Sequence, residues 1–445
     1  FPLLNEYSKI INQDFLSNNM ATINENYREF RLDNGLFVAL QETPTRTVSG
    51  RLRVWHGALN EKQGEEGIAH FLEHTLMTGG SQKYDPERAD EIRGTFGSFN
   101  AFTGLERTFF PIDMLAEDSQ LFLEYVSDAA FNPRFEASRV EEERQRVLRE
   151  TADAKSNPGF KDSKAYGEAF FGKNSPHTYF ILGNEAVVGS ASVDTLKGFH
   201  ERGYHPNNMD LILVGALPKN IEDLVQKNLG HFPSGNGKKV EFPRNPQLYG
   251  ATILHTPAPD LYNHENPEQS SAQLGISLFA PTETDEDSYA VNMLVNILGG
   301  DANSRLFQSV SQRKGLAYGF GALYDRRNNK GGIYIGGSVH SVRADEALDA
   351  IFEEMAKLRA ELVLQESLER LKRNSRYNIA KTFETNAGHV EAIELKMDKG
   401  LTPEYHLERM EAVTPEKIRE AAVKYLPQSR TDGRYVLSLR DPLKK

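Results

Sequence analysis

Apolar and polar residues alternate early in the chain. Phe30 and Leu32 precede Asp33-Asn34-Gly35, and Leu36, Val38 and Leu40 follow. Asn-Gly between two period-2 runs predicts a hairpin over 27–41. Residues 48–55 alternate again, which places Leu52 and Val54 inward and Arg51 and Arg53 outward. The period then changes: Ile68, Leu72 and Leu76 recur every four residues, the apolar stripe of a helix that Gly79-Gly80 can end. Further helices are predicted over 86–93, 114–130 and 135–154, and after the N-cap Ser192, where Leu196 and Phe199 form the apolar face. Residues 94–103 are punctuated by glycine and then strand-like, and 211–214 read as a strand. Residues 232–247 hold Pro233, Gly235, Gly237, Pro243 and Pro246 and read as a linker.

Past that break the pattern returns. Residues 271–300 lie along 49–78 without a gap, at an offset of 222 residues. Thr414-Pro415 begins a helix like that after Ser192, at nearly the same offset. The chain is therefore read as one fold used twice, a domain over 1–235 and a second over 248–445, joined by 236–247. Apolar positions persist in the second copy, as the same core requires.

Composition narrows the function classes. The chain has 445 residues, 39% hydrophobic and 26% charged, and no run long and apolar enough to span a bilayer. A net charge of −11 argues against nucleic acid as the main partner and favours peptides with basic segments at long range. Absence of cysteine excludes disulfides, thiolate catalysis and cysteine metal sites, and fits a cytoplasmic or an exported protein equally. Residues 1–20 carry Glu6, Lys9 and Asp14, so they are neither a signal-peptide core nor a basic transit peptide; Met20 is an alternative start, and a removed upstream segment would leave no trace.

The motif helix carries the chemistry. His70 and His74 are four residues apart, on one face, and can grip one ion. Glu73 sits on the flank of that face, within reach of a water on the ion. His-x-x-Glu-His on such a helix reads as a zinc site, although an ordinary exposed helix produces the same spacing by chance. Glu143, Val147 and Glu150 share a face of the later charged helix, which by itself reads equally as a solvated surface with pairs such as Glu143 and Arg146. In the second copy Asn292, Val295 and Asn296 replace His70, Glu73 and His74, so that copy keeps shape and not chemistry.

The chain resembles the pitrilysin-type metallopeptidases, the superfamily of insulin-degrading enzyme and the mitochondrial processing peptidase. The resemblance covers nearly the whole chain from about Tyr27. It rests on Leu32-Asp33-Asn34-Gly35, the His70–His74 run, Gly97-x-x-Asn100-Ala101-x-Thr103, Glu143-x-x-x-Val147-x-x-Glu150, and Tyr204-x-Pro206-Asn207-Asn208-Met209. It continues with Ser304-Arg305-Leu306-Phe307 and Gly315-Leu316-Ala317-Tyr318. It implies an α+β fold of two similar domains, each a largely antiparallel sheet with helices on one face. It implies a zinc endopeptidase acting on peptides or unfolded segments. His70, His74 and Glu150 are then the zinc ligands, Glu73 the general base for water, and Glu143 a carboxylate supporting the site. It further implies that Phe99, Asn100 and Ala101 form an open edge strand to which substrate adds, and that Tyr318 helps bind substrate.

One departure stands out. Related two-domain subunits carry an arginine seven residues before the equivalent of Tyr318; here that residue is Ser311, with Arg313 two residues out of step. A chain of this length is half of the family's closed chamber, which implies a second two-domain subunit, identical or different. The competing reading is a non-catalytic structural subunit on the same fold. Subunits of that kind lose zinc ligands, and this sequence keeps them all.

Overall fold

The computed structural model describes residues 23, 26–157, 159–173, 175–240, 243, 252–326 and 329–442. Residues 1–20 and most of 241–251, with part of the expected linker, lie outside the described residues. In the first half the elements are β1 (Tyr27–Arg31), β2 (Phe37–Glu42), β3 (Thr47–Val54), α1 (Ile68–Thr78), α2 (Pro86–Thr95), β4 (Ser98–Phe99), β5 (Phe102–Thr103) and β6 (Thr108–Leu115). Then come α3 (Ser119–Phe131), α4 (Ala137–Ser156), α5 (Gly159–Phe171), α6 (Glu185–Ser190), α7 (Val193–Gly203), β7 (Met209–Gly215) and α8 (Ile221–Leu229). The second half holds β8 (Thr252–Pro257), β9 (Ser271–Phe279), α9 (Ser288–Gly299), β10 (Ala317–Asp325), β11 (Gly332–His340) and α10 (Ala344–Ala360). It ends with α11 (Gln365–Thr382), α12 (Asn386–Lys399), α13 (Pro403–Glu411), α14 (Pro415–Tyr425) and β12 (Val436–Asp441).

Two sheets result, in the same order. The first runs β1-β2-β7-β3-β6-β4, with β5 also on β6; the second runs β10-β11-β9-β12-β8. Among the described residues only β2–β7 and β12–β8 pair in parallel. In the first copy β7 lies between β2 and β3, as β12 lies between β8 and β9 in the second, and the glycine-punctuated stretch supplies an edge: β4 in one, β10 in the other. The hairpin closes as Asn-Gly dictates, with Phe30 opposite Val38 and Gly35 at φ +88°. Ser192 and Thr414 cap α7 and α14 through the backbone N–H groups of Thr195 and Lys417.

The compact units are not contiguous in sequence. One takes the described residues within Phe1–Asn157, Tyr179–Phe242 and Asn378–Tyr405; the other takes Pro158–Thr178, Pro243–Tyr377 and His406–Lys445. In the first unit, helices α1, α2, α3, α4, α7 and α8 pack their apolar stripes on one face of the sheet, around Leu52, Val54, Leu72 and Phe122. The other face receives α12, where Val390 and Ile393 meet Ala39, Ile212 and Val214.

That helix overturns one expectation. Arg53 does not face solvent: it is fully buried, donating to Asp210 (2.8 Å) and Asp398 (3.0 Å), and Arg51 pairs with Glu394. Residues on the polar side of β3 lie under a helix contributed from more than 300 positions away, whose carboxylates neutralise them. A second correction concerns 114–130. Helix α3 starts at Ser119, and Met114 belongs to β6, where Phe110, Ile112 and Met114 alternate inward. Pro111 at the centre of that strand masks the period-2 signal, because proline lacks a ladder donor.

Candidate metal centre

Helix α1 begins at Gly67, in the left-handed region at φ +101°, and presents His70 and His74 from successive turns with ring centroids 4.7 Å apart. Its apolar stripe, Ile68, Phe71, Leu72 and Leu76, is buried against the sheet, which fixes the rotation of the helix. Helix α4 buries Val140, Glu143, Val147 and Thr151, and the same stripe carries Glu150 to the histidines. Glu150 Oε2 lies 3.7 Å from His70 Nε2 and 3.5 Å from His74 Nε2. A tetrahedral ion with bonds of about 2.1 Å separates its ligand atoms by roughly 3.4 Å, so this nitrogen, nitrogen, oxygen set fits zinc. Among the described residues it is the one metal-binding group of three such side chains.

Neighbouring groups orient His74. His74 Nδ1 lies 3.1 Å from Glu143 Oε2, and Arg146 lies 2.9 Å from Glu143 Oε1. A carboxylate on the far nitrogen of a histidine fixes its tautomer and turns Nε2 toward the ion. Burial opposes charge on Glu143, yet hydrogen bonds with His74 and Thr78 and the nearby Arg146 hold its carboxyl below the usual range. Burial likewise opposes charge on His74, but Glu143 and Glu150 outweigh it and raise the imidazole. For His70, burial and then His74 push the imidazole down to about 4, and its buried Nδ1 has no hydrogen-bond partner among the described residues. Replacing Glu143 by Gln is expected to lower zinc affinity by roughly 10–100-fold, the usual cost of losing an outer partner, read by competition with a chelating dye.

Glu73 is 8% exposed and receives a hydrogen bond from the Thr103 hydroxyl at 2.7 Å. Burial raises its carboxyl above the ordinary value, against the pull of Thr103. Thr103 lies in the Gly97–Thr103 motif, but nothing in the sequence pattern assigned it this contact.

A second residue escaped the sequence altogether. Glu61 Oε2 accepts from the Gly67 N–H (3.1 Å) and Oε1 from the Ala69 N–H (2.8 Å), and Tyr179 donates its hydroxyl to Oε2. Glu61 thus caps α1 from outside the helix, nine residues before His70, a distance at which no capping pattern is legible. Burial pushes its carboxyl up to about 7. A carboxyl raised on folding favours the fold while protonated, below its unfolded value of 4.5, and that contribution is lost as pH rises through about 7. The urea midpoint of Glu61→Gln is expected to change less between pH 5 and 8 than that of the parent chain.

The other predicted residues are placed as follows. Phe99 is half-buried, with its ring 5.6 Å from that of Tyr125, on the edge strand β4. Asn100 is exposed; its N–H donates inward to Pro111 O, and its side-chain oxygen takes the N–H of the buried Ala101 at 2.9 Å. Tyr318 belongs to the second unit, at the start of edge strand β10, and is fully exposed, so it is not a core residue. In that unit Ser311 is buried, and Arg313 lies 3.8 Å from Glu354. Asn292, Val295 and Asn296 lie on α9, in the position that α1 holds in the first copy.

Two family models match separate parts of the chain. Residues 37–171 match the family model described as Insulinase (Peptidase family M16), and residues 190–375 match the model described as Peptidase M16 inactive domain. An uncharacterized zinc protease of Bacillus subtilis is 25% identical over 93% of this chain and 98% of its own length. A protease of Helicobacter pylori superposes with a TM-score of 0.79 at 19% identity, over 94% of this chain and 99% of that one. The periplasmic protease PqqL of Escherichia coli superposes at 0.77 and 19% identity, over 95% of this chain but 48% of that one. Two family modules over most of the sequence, the first containing His70, His74 and Glu150, make this chain a member of the pitrilysin-type peptidase family M16.

Proposed function

We propose that the chain is a zinc-dependent endopeptidase that hydrolyses peptides or unfolded protein segments. The observation that carries this reading is the convergence of Glu150 on the Nε2 atoms of His70 and His74, with Glu73 buried on the same turn as His74. When bound, zinc polarises the substrate carbonyl and lowers the pKa of water toward neutrality. His70, His74 and Glu150 would hold it, and Glu143 keeps His74 turned toward it. Glu73 accepts a proton from the attacking water and returns it to the leaving amine, work suited to a carboxyl raised by burial. Thr103 holds that carboxylate in place.

Substrate adds as a strand to the edge at Phe99–Ala101, where main-chain hydrogen bonds tolerate many side chains. Asn100 N–H is already committed inward to Pro111, so Phe99 and Ala101 supply the outward groups, and a substrate carbonyl replaces the Asn100 side chain on Ala101. The first copy, 1–235, does the chemistry, and the second, 248–445, contacts substrate through Tyr318. PqqL holds about twice the length matched here, which supports pairing with a second two-domain subunit.

The test is cleavage of a quenched fluorogenic peptide library by the purified chain alone, with zinc measured on the same sample. Cleavage at one zinc per chain supports a complete enzyme. Zinc without cleavage points to a different partner subunit that carries the arginine replaced here by Ser311. Absence of zinc binding overturns the reading.

A further inference from the structure

We infer that the segment 179–191 is a strap that sets the relation between α1, which carries the two histidines, and α4, which carries Glu150, with Glu61 and Tyr179 as its positioning residues. This rests on the metallopeptidase reading above. A metal site whose ligands share one helix is set by local geometry. Here the third ligand comes from another helix, so the placement of α4 against α1 decides whether three donors converge, and that placement has to hold to about 0.5 Å.

The strap touches both helices. At α1, Tyr179 donates to the Glu61 carboxylate that takes the N–H groups of Gly67 and Ala69, the residue before His70. The free amides of a helix start are thereby tied to carboxyl oxygens from outside the helix. Further along, the Asn184 N–H donates to Glu66 O at 3.0 Å. Gly183 passes so close that a Cβ there would lie 2.2 Å from Glu66 O, so the two backbones are in direct contact. At α4, Arg144 donates to the carbonyls of Val188 and Ala191, the latter at 2.8 Å, and Lys155 pairs with Glu185 at 2.8 Å. Arg144 and Lys155 lie on either side of Glu150 in the chain. The Lys155 pair is solvent-exposed and contributes little; the grip rests on Arg144 and on the Glu61–Tyr179 contact. Tyr179 is also the residue at which the chain re-enters the first unit, so its hydroxyl anchors the strap where it begins.

The experiment is a zinc competition titration of the full chain and of Tyr179→Phe and Glu61→Gln, each at a temperature where circular dichroism shows it folded. Steady-state peptide cleavage is measured alongside. Tyr179→Phe removes one hydroxyl, and Glu61→Gln turns one acceptor oxygen into a donor facing a backbone N–H. Zinc affinity is expected to fall about 10-fold in Glu61→Gln, the low end for residues that act through a ligand, and several-fold in Tyr179→Phe, with kcat falling and KM unchanged. If Glu61→Gln does not fold, Tyr179→Phe decides. Parent-like affinity in every folded variant overturns the strap, whatever their melting temperatures. A parent chain that binds no zinc overturns the metallopeptidase reading and the strap with it.

Discussion

Glu73→Gln is expected to bind zinc as the parent chain does and to cleave peptides roughly 10²–10⁴-fold more slowly, the span general acid–base catalysis contributes. The two side chains have nearly the same shape, and Glu73 lies on the flank of α1 rather than among the converging ligand atoms. The Thr103 hydroxyl that donates to Glu73 finds the amide oxygen of Gln in its place. What the amide lacks is basicity, so the loss belongs to kcat. Stability is expected to hold or rise, because burial already works against a charged carboxylate at this position. The check pairs kcat and KM on one fluorogenic peptide with zinc per chain and a thermal melt. A variant that keeps more than about a tenth of parental kcat removes Glu73 from the role of base, given the span above.

Glu150→Gln and His74→Ala are expected to lose zinc and activity together. Each leaves two protein ligands where a catalytic zinc site uses three. The cost should exceed the roughly 10–100-fold expected of Glu143→Gln, which removes an outer partner and not a ligand. The variants differ in what happens without metal. The Glu150 side chain is 48% exposed, so its apo fold should melt close to the parent. Glu143 is buried between His74 and Arg146, so Glu143→Gln is expected to weaken the apo fold as well as the metal. Zinc titration and melts of the metal-free variants separate the two cases. Zinc affinity in Glu150→Gln equal to the parent would remove Glu150 from the ligand set. The stoichiometry expected of the parent is one, because Asn292, Val295 and Asn296 offer the second copy no equivalent set.

Much of this site was legible because its signals are local. Four-residue spacing puts His70 and His74 on one face whatever surrounds the helix, and a seven-residue step does the same for Glu143 and Glu150. The Asn-Gly turn, the caps at Ser192 and Thr414, and the repeat at 222 residues depend on neighbours in sequence, and the two matching sheets follow that repeat. Thr103 was visible as part of a motif but not as the partner of Glu73, since a hydroxyl in a strand carries no mark of what it faces. Pro111 concealed the strand through Met114 for the opposite reason: a local rule against proline gave way to tertiary pairing.

Sequence alone determined the histidine helix, the charged helix after it and the Asn-Gly turn, which residues have the chemistry to bind zinc and take a proton, and that the second copy lacks that chemistry. These follow from backbone geometry and side-chain type within a few turns of chain. Only the tertiary structure decided that Glu150 reaches both Nε2 atoms, that Arg53 is a buried cation under α12, and that Glu61 and Tyr179 tie the start of the histidine helix to a distant segment. Those facts join groups dozens to hundreds of residues apart. What brings such groups together is packing and charge pairing across elements, which no spacing along the chain encodes.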